Sequence, residues 1–159
     1  MTDPATKTIA SGTVIAGTYK VSALLGKGGM GEVWVAEHER LPGKKVAIKV
    51  LNADYATDQE VLARFRREAE IASRLGGHPN IVEIHDYHVW NDHTPYLVLE
   101  LLKGESLDAK LARGAMSPQE TLRVLAEVCS ALRAAHKNHV VHRDLKPQNV
   151  FLCAAHDGK

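Results

Sequence analysis

Six residues, Gly26-Lys27-Gly28-Gly29-Met30-Gly31, run directly into the alternating apolar stretch Glu32-Val33-Trp34-Val35. Glycines at this spacing let a backbone pass close to phosphate oxygens and present its N–H groups, which side chains would obstruct. The strand pattern beyond them constrains the fold. A dinucleotide-binding loop must open a helix and a Walker loop must end in Lys-Ser or Lys-Thr, whereas this chain leaves its glycines as a strand. A Rossmann oxidoreductase is therefore excluded, and the glycines form the tip of a β-hairpin. A flexible tip without a ligand would use the same residues, so the stretch alone does not settle function.

The surrounding pattern supports a β-rich unit. Tyr19-Lys20-Val21-Ser22-Ala23-Leu24 alternates, Val33-Trp34-Val35 comes after the glycines, and Val46 to Leu51 comes after a polar turn at Pro42-Gly43. Thr57 with Glu60 forms a capping box that opens a helix to about Leu75, where Gly76-Gly77 and Pro79 stop it. Ile81 to Ile84 and Tyr96 to Leu99 predict two further strands, separated by the turn-rich residues 91–95. After a short linker, Glu100 to Gly104, the reading is mainly helical. Ser117, Pro118 and Glu120 open a long helix with Leu122, Leu125, Cys129 and Leu132 on its apolar stripe. The expected class is α+β: a tail over 1–13, a five-stranded antiparallel unit with one helix over 14–102, a hinge near Leu101, and a mainly helical portion over 103–159.

Composition narrows the partners. A net charge of +1 with 25% charged residues leaves no one-sided field to recruit nucleic acid or an anionic membrane. Cys129 and Cys153 lack metal or redox spacing and lie among apolar neighbours, which predicts small core residues in a reducing compartment. The start of the chain has no basic region followed by an apolar stretch, and no apolar run reaches membrane-spanning length. The expectation is a cytoplasmic product with no membrane segment within this chain.

Three further stretches carry chemistry. In Val46-Ala47-Ile48-Lys49-Val50-Leu51, alternation puts Lys49 on the face of Ala47 and Leu51, so an ammonium points from an apolar strand and needs a partner. The inward stripe of the predicted helix reads Val61, Phe65, Glu68, Ala72, Leu75, with a carboxylate where an apolar side chain belongs. An inward lysine and an inward acid suggest a pair, and breaking a buried pair costs on the order of 3–5 kcal/mol. In His142-Arg143-Asp144-Leu145-Lys146-Pro147-Gln148-Asn149, between the strand-like runs Val140-Val141 and Val150-Phe151-Leu152, an acid, a cation and an amide share one loop. Those groups can receive a hydroxyl proton, neutralise a transferring phosphoryl group and hold a divalent cation. His136, His139 and His142 are evenly spaced, but a helix end at Asn138 and opposite strand faces beyond it would keep them from sharing a metal.

With these stretches in this order, residues 19–152 resemble the protein kinase family. Lys146, two residues after Asp144, resembles the serine/threonine class, and Gly-Lys-Gly-Gly-Met-Gly-Glu-Val is similar to the bacterial eukaryotic-like (Hanks-type) members. The resemblance implies ATP and Mg²⁺ as cofactors and protein serine or threonine hydroxyls as substrate. It implies that the hairpin, Gly26, Lys27, Gly28, Gly29, Met30, Gly31 and Glu32, covers the nucleotide, while Leu25, Val33, Ala47 and Phe151 sandwich adenine. Leu99 is implied as gatekeeper, and the backbone of Glu100 and Leu102 as the hinge hydrogen bonds. Lys49, held by Glu68, is implied to bind the α- and β-phosphates, Asp144 to orient the hydroxyl and accept its proton, Lys146 to contact the γ-phosphate, Asn149 to ligate Mg²⁺, and Glu105 to reach the ribose.

The pattern also departs from the family. No Asp-Phe-Gly segment comes after the catalytic loop, and Asp157-Gly158 reads as a hairpin turn. The expectation is a truncated domain that ends inside a hairpin and transfers phosphate poorly by itself. An alternative reading is a nucleotide- or partner-binding module without catalysis. Intact Lys49, Glu68, Asp144 and Asn149 argue against it.

Overall fold

The computed structural model of the chain describes residues 9–154. They divide into two compact units, one reaching to Ser73 and including Glu83–Leu101, the other formed by Arg74–Val82 and the chain from Leu102 onward.

The first unit is built on a six-stranded sheet in the order β1-β2-β3-β4-β6-β5. Its strands are β1 (Val14–Ile15), β2 (Tyr19–Gly28), β3 (Gly31–His38), β4 (Lys45–Leu51), β5 (Ile84–Trp90) and β6 (Thr94–Glu100), and helix α1 spans Gln59–Arg74. All neighbouring strands are antiparallel. The expected strands are present, and β1 adds a sixth at the edge. Residues 9–13, expected in a disordered tail, lie against the sheet: Gly12 N–H donates to Val21 C=O, Val21 N–H to Thr13 C=O, and Ile9 packs on the core.

Strand alternation gives β4 two buried faces. Val46, Ile48 and Val50 join Ile15, Val21, Tyr96 and Val98 in one apolar cluster, while Leu51 joins Leu97, Phe65 and Ala69 in another under α1. Two boundaries differ from expectation. Asp58, not Thr57, caps α1, because its Oδ1 accepts from both Glu60 N–H at 2.9 Å and Val61 N–H at 3.2 Å. Ile81 and Val82 fall outside β5 because a turn holds the chain there: Ile81 N–H donates to His78 C=O, and Asn80 N–H to His78 Nδ1. The β5–β6 turn needs only residues 91–93, with Asn91 and Asp92 at φ 51° and 63°, so Thr94 and Pro95 enter the strand.

The second unit contains β7 (Gly104–Ser106), α2 (Leu107–Ala112), α3 (Pro118–Lys137), a 3₁₀ turn at Pro147–Asn149 and β8 (Phe151–Cys153). Ser117 and Glu120 form the expected capping box of α3. The predicted strand at Val140-Val141 does not form. The end of α3 is instead closed by His139 N–H to His136 C=O and Val140 N–H to Ala135 C=O, with His139 in the left-handed region at φ 59°. Glycine suits that position better, so His139→Gly is expected to raise Tm slightly, by the equivalent of roughly 0.5–1 kcal/mol, in a thermal melt.

Strand β8 pairs with β7, where the end of the linker and the start of the helical portion were expected. Gly104 is required there twice over: its φ is +142°, and a Cβ would collide with the Leu152 carbonyl oxygen. The expected hairpin return after β8, with Asp157 and Gly158, lies outside the described residues. Cys129 and Cys153, expected in the core, are both exposed, and so are Leu122 and Leu125 on the α3 stripe. Helical periodicity identifies an apolar face but not what covers it, so the same spacing fits a buried and a bare stripe.

Candidate active site

In the first unit, β4 aims Lys49 at α1. Lys49 Nζ donates to both carboxylate oxygens of Glu68, at 2.8 and 2.9 Å, and lies 5.7 Å from the centre of the Phe65 ring. The pair forms as the sequence predicts, but it is less buried than expected, with side-chain exposures of 26% and 47%. The apolar stripe of α1 passes through Phe65 and Ala69, which leaves Glu68 at its margin. Water screens a pair in this position, so its stability contribution is about 1 kcal/mol or less rather than that of a buried pair.

Register places Val33 and Leu97 opposite Lys49, and Leu99 opposite Ala47, so these side chains share one face of the sheet. Leu25 and Met30 are exposed, whereas Ala47 is buried. At the end of β6, Glu100 N–H donates to Glu83 C=O at 3.0 Å. The reciprocal amide, Glu83 N–H, is taken by the Glu100 carboxylate at 2.8 Å, which releases the Glu100 carbonyl from that exchange. A backbone acceptor beside an apolar face suits an adenine ring.

The glycines of the hairpin separate into two kinds. A Cβ on Gly31 would collide with the Val50 carbonyl oxygen, so that residue permits β3 to approach β4. Gly26 and Gly29 would meet nothing within 4 Å and have no left-handed φ, so the chain's own packing does not demand glycine there. Open backbone of this kind fits a phosphate chain. Gly31→Ala is expected to lower Tm by the equivalent of about 2 kcal/mol or more, whereas Gly29→Ala should leave the melt within about 0.5 kcal/mol and weaken nucleotide binding instead.

In the second unit, Asp144 sits in a short, self-braced loop. Arg143 is held at φ 61°, and Asp144 N–H donates to His142 Nδ1 at 3.3 Å. Left-handed backbone at a non-glycine residue costs of order 1 kcal/mol or more and persists where surrounding structure fixes it. Asp144 Oδ2 lies 3.0 Å from Lys146 Nζ, and Asn149 Nδ2 donates to the Asp144 carbonyl at 2.8 Å and to Oδ2 at 3.1 Å. The Lys146 hydrogen bond lowers the Asp144 pKa below its ordinary value; partial desolvation opposes this, and Asn149 with the nearby Lys146 and His142 charges assists.

Both contacts of Asn149 Nδ2 are to oxygens, which fixes the amide so that Oδ1 faces away from Asp144. A hard divalent cation takes oxygen ligands, and the orientation fits one. Gln148 Nε2 donates to Asp108 Oδ1 at 2.8 Å, fastening the loop to α2. Leu102 is half-buried, and Phe151 pairs with Ser106 in the β7–β8 ladder.

Glu105, expected to reach a ribose, has both carboxylate oxygens engaged by Arg113. Its pKa is lowered first by that hydrogen bond. His78 contributes a tie that no sequence pattern announced, its Nε2 lying 3.4 Å from Ser130 Oγ on α3. A turn was legible in His78-Pro79-Asn80, but the partner lies 52 residues away. Among the described residues no cluster of three metal-ligating side chains occurs, and no helix is long and apolar enough to cross a membrane.

An antiparallel sheet with a lysine–glutamate pair between β4 and α1, and an Asp-Lys-Asn loop in the other unit, are the elements of a protein kinase fold. The protein kinase domain model matches residues 19–159, and the chain belongs to that family. It is 42% identical over 142 residues to the serine/threonine-protein kinase PrkC of Bacillus subtilis, covering 89% of this chain and 22% of that protein. It is 40% identical over 146 residues to the serine/threonine-protein kinase PknA of Mycobacterium tuberculosis, covering 89% and 33% respectively. The Mycobacterium tuberculosis PknI kinase domain matches with a TM-score of 0.77 at 36% identity, over 92% of this chain and 59% of that one. The chain thus spans a third or less of the length of these two curated relatives.

Proposed function

We propose that this chain supplies the nucleotide-binding unit and catalytic loop of a serine/threonine protein kinase that moves the terminal phosphate of ATP to a protein hydroxyl. The Asp144–Lys146–Asn149 cluster carries this reading, because it joins a base, a cation and a metal-facing amide oxygen within one loop. Asp144 orients the substrate hydroxyl and accepts its proton as the new bond forms, and Lys146 steadies the charge on the transferring group. Lys49, held straight by Glu68, binds the α- and β-phosphates. The glycine hairpin covers the phosphates, Leu25, Val33 and Ala47 pack on adenine, Leu99 bounds that face, and the backbone of Glu100 meets the ring edge.

Asn149 would hold Mg²⁺, which when bound neutralises charge on the phosphates. Serine and threonine are favoured over tyrosine because Lys146 stands two residues after Asp144, the arrangement of the serine/threonine class. The 159-residue chain by itself is expected to bind Mg²⁺-ATP and transfer phosphate weakly or not at all. Titration of the chain with a fluorescent ATP analogue in Mg²⁺ tests the first half. Radiolabelled transfer to serine, threonine and tyrosine peptides, by a chain carrying the complete domain, tests the second. Absence of saturable binding, or transfer to tyrosine alone, would overturn the assignment.

A further inference from the structure

The tip of the glycine hairpin is tied to the chain after β4 by Asn52 N–H, which donates to Met30 C=O at 3.0 Å, but it buries no side chain of its own. It consists of the Gly29-Met30 turn beyond the Gly28–Gly31 pair, and Met30 is exposed. One pair further back, Lys27 and Glu32 face each other across the two strands, with Lys27 Nζ 3.0 Å from Glu32 Oε1. The other carboxylate oxygen, Oε2, accepts the Trp34 indole N–H at 3.1 Å. Trp34 in turn packs against the apolar cluster of Ile15, Val21, Val46 and Ile48. The three side chains form a chain of contacts from the hairpin tip to the core.

The face of the sheet on which they lie decides what they can do. Directly opposed residues of an antiparallel pair share a face, and so do residues two apart in a strand, so Lys27, Glu32 and Trp34 lie on one side. Lys49 is opposed by Val33 and therefore lies on the other. Lys27 is 68% exposed and its ammonium is directed at Glu32, not toward the Lys49 side. A cation in that position serves the shape of the hairpin rather than the charge of a phosphate.

We propose that Glu32 is a positioning residue: it clasps Lys27 across the hairpin and is anchored by Trp34, so that the glycine tip meets nucleotide already ordered. The inference rests on the nucleotide reading above. Ordering a loop before binding removes a conformational cost from the binding step, and glycines make that cost large. The clasp therefore strengthens nucleotide binding although neither charged side chain touches the ligand.

The test uses the full chain and mant-ATP with Mg²⁺. Glu32→Ala and Lys27→Met should each raise Kd roughly twofold to fivefold, the scale of an exposed ion pair. The double variant should be no worse than the weaker-binding single, and the exchanged pair Lys27→Glu with Glu32→Lys should recover part of the loss. If Lys27 instead served phosphate directly, Glu32→Ala would release it and tighten binding, and the exchanged pair would bind worst. Either result, or strictly additive single effects, overturns the clasp.

A second readout needs no nucleotide. The chain has two tryptophans, so Trp90→Phe leaves Trp34 as the reporter, and wild-type difference spectra serve if that variant does not fold. Glu32→Ala should make Trp34 more open to acrylamide quenching, and unchanged quenching overturns the clasp. If the wild-type chain binds no mant-ATP while Trp34 responds as expected, the nucleotide reading falls and the clasp stands as a tie within the hairpin.

Discussion

Asp144→Asn, placed in a chain carrying the complete domain, is expected to cut phosphate transfer to protein by about 10²–10⁴-fold while leaving Mg²⁺-ATP affinity largely intact. Asparagine keeps the shape of the side chain and can still meet Lys146 and Asn149 through its amide, but it cannot receive a proton. Single-turnover transfer measured beside nucleotide titration separates the two effects. The pH profile gives an independent check. Lys146 and Asn149 favour the ionised carboxylate, so its folded pKa lies below the ordinary aspartate value. The carboxylate therefore persists as pH falls through the usual aspartate range, and the acid limb of kcat/KM should lie below that range in the wild type. Transfer retained in the asparagine variant would remove Asp144 from its role.

Lys49→Met is expected to lower transfer by about 10²–10³-fold, the usual loss when one preorganised charge is taken from a reacting phosphate. Its effect on the melt should be small. The Lys49–Glu68 pair is partly exposed, and its removal is expected to cost about 1 kcal/mol or less. Methionine also retains the apolar stem above Phe65. A large fall in activity with a nearly unchanged Tm would show that the pair serves binding geometry. A collapse of the fold would show instead that the pair is structural.

The residues legible in the sequence are those whose type contradicts their surroundings. Lys49 stands in an apolar strand, Glu68 beside an apolar stripe, and Asp144 with Asn149 in a loop whose order of acid, cation and amide a plain surface turn would not require. The features missed are satisfied by partners that no local pattern announces. Strand β7 exists because Gly104 lets its backbone reach Leu152, nearly fifty residues on. Asp58 displaced Thr57 as a cap because it lies one residue nearer the helix, a margin below the resolution of sequence boundaries. Cys129 is exposed where a core position was expected, because spacing defines which face a side chain takes and not what stands opposite it; Glu105, assigned to a ribose by resemblance, is paired with Arg113.

Strand β4, with apolar clusters on both of its faces, bears on how such a sheet can err during folding. A slip of one residue would carry Lys49 into the cluster of Ile48 and Tyr96 and drive Ile48 toward Phe65. The misregistered sheet would bury a bare ammonium far from any acid and be rejected on energy alone. The lysine proposed to handle phosphate is thus also the residue that proofreads the alignment of its own strand.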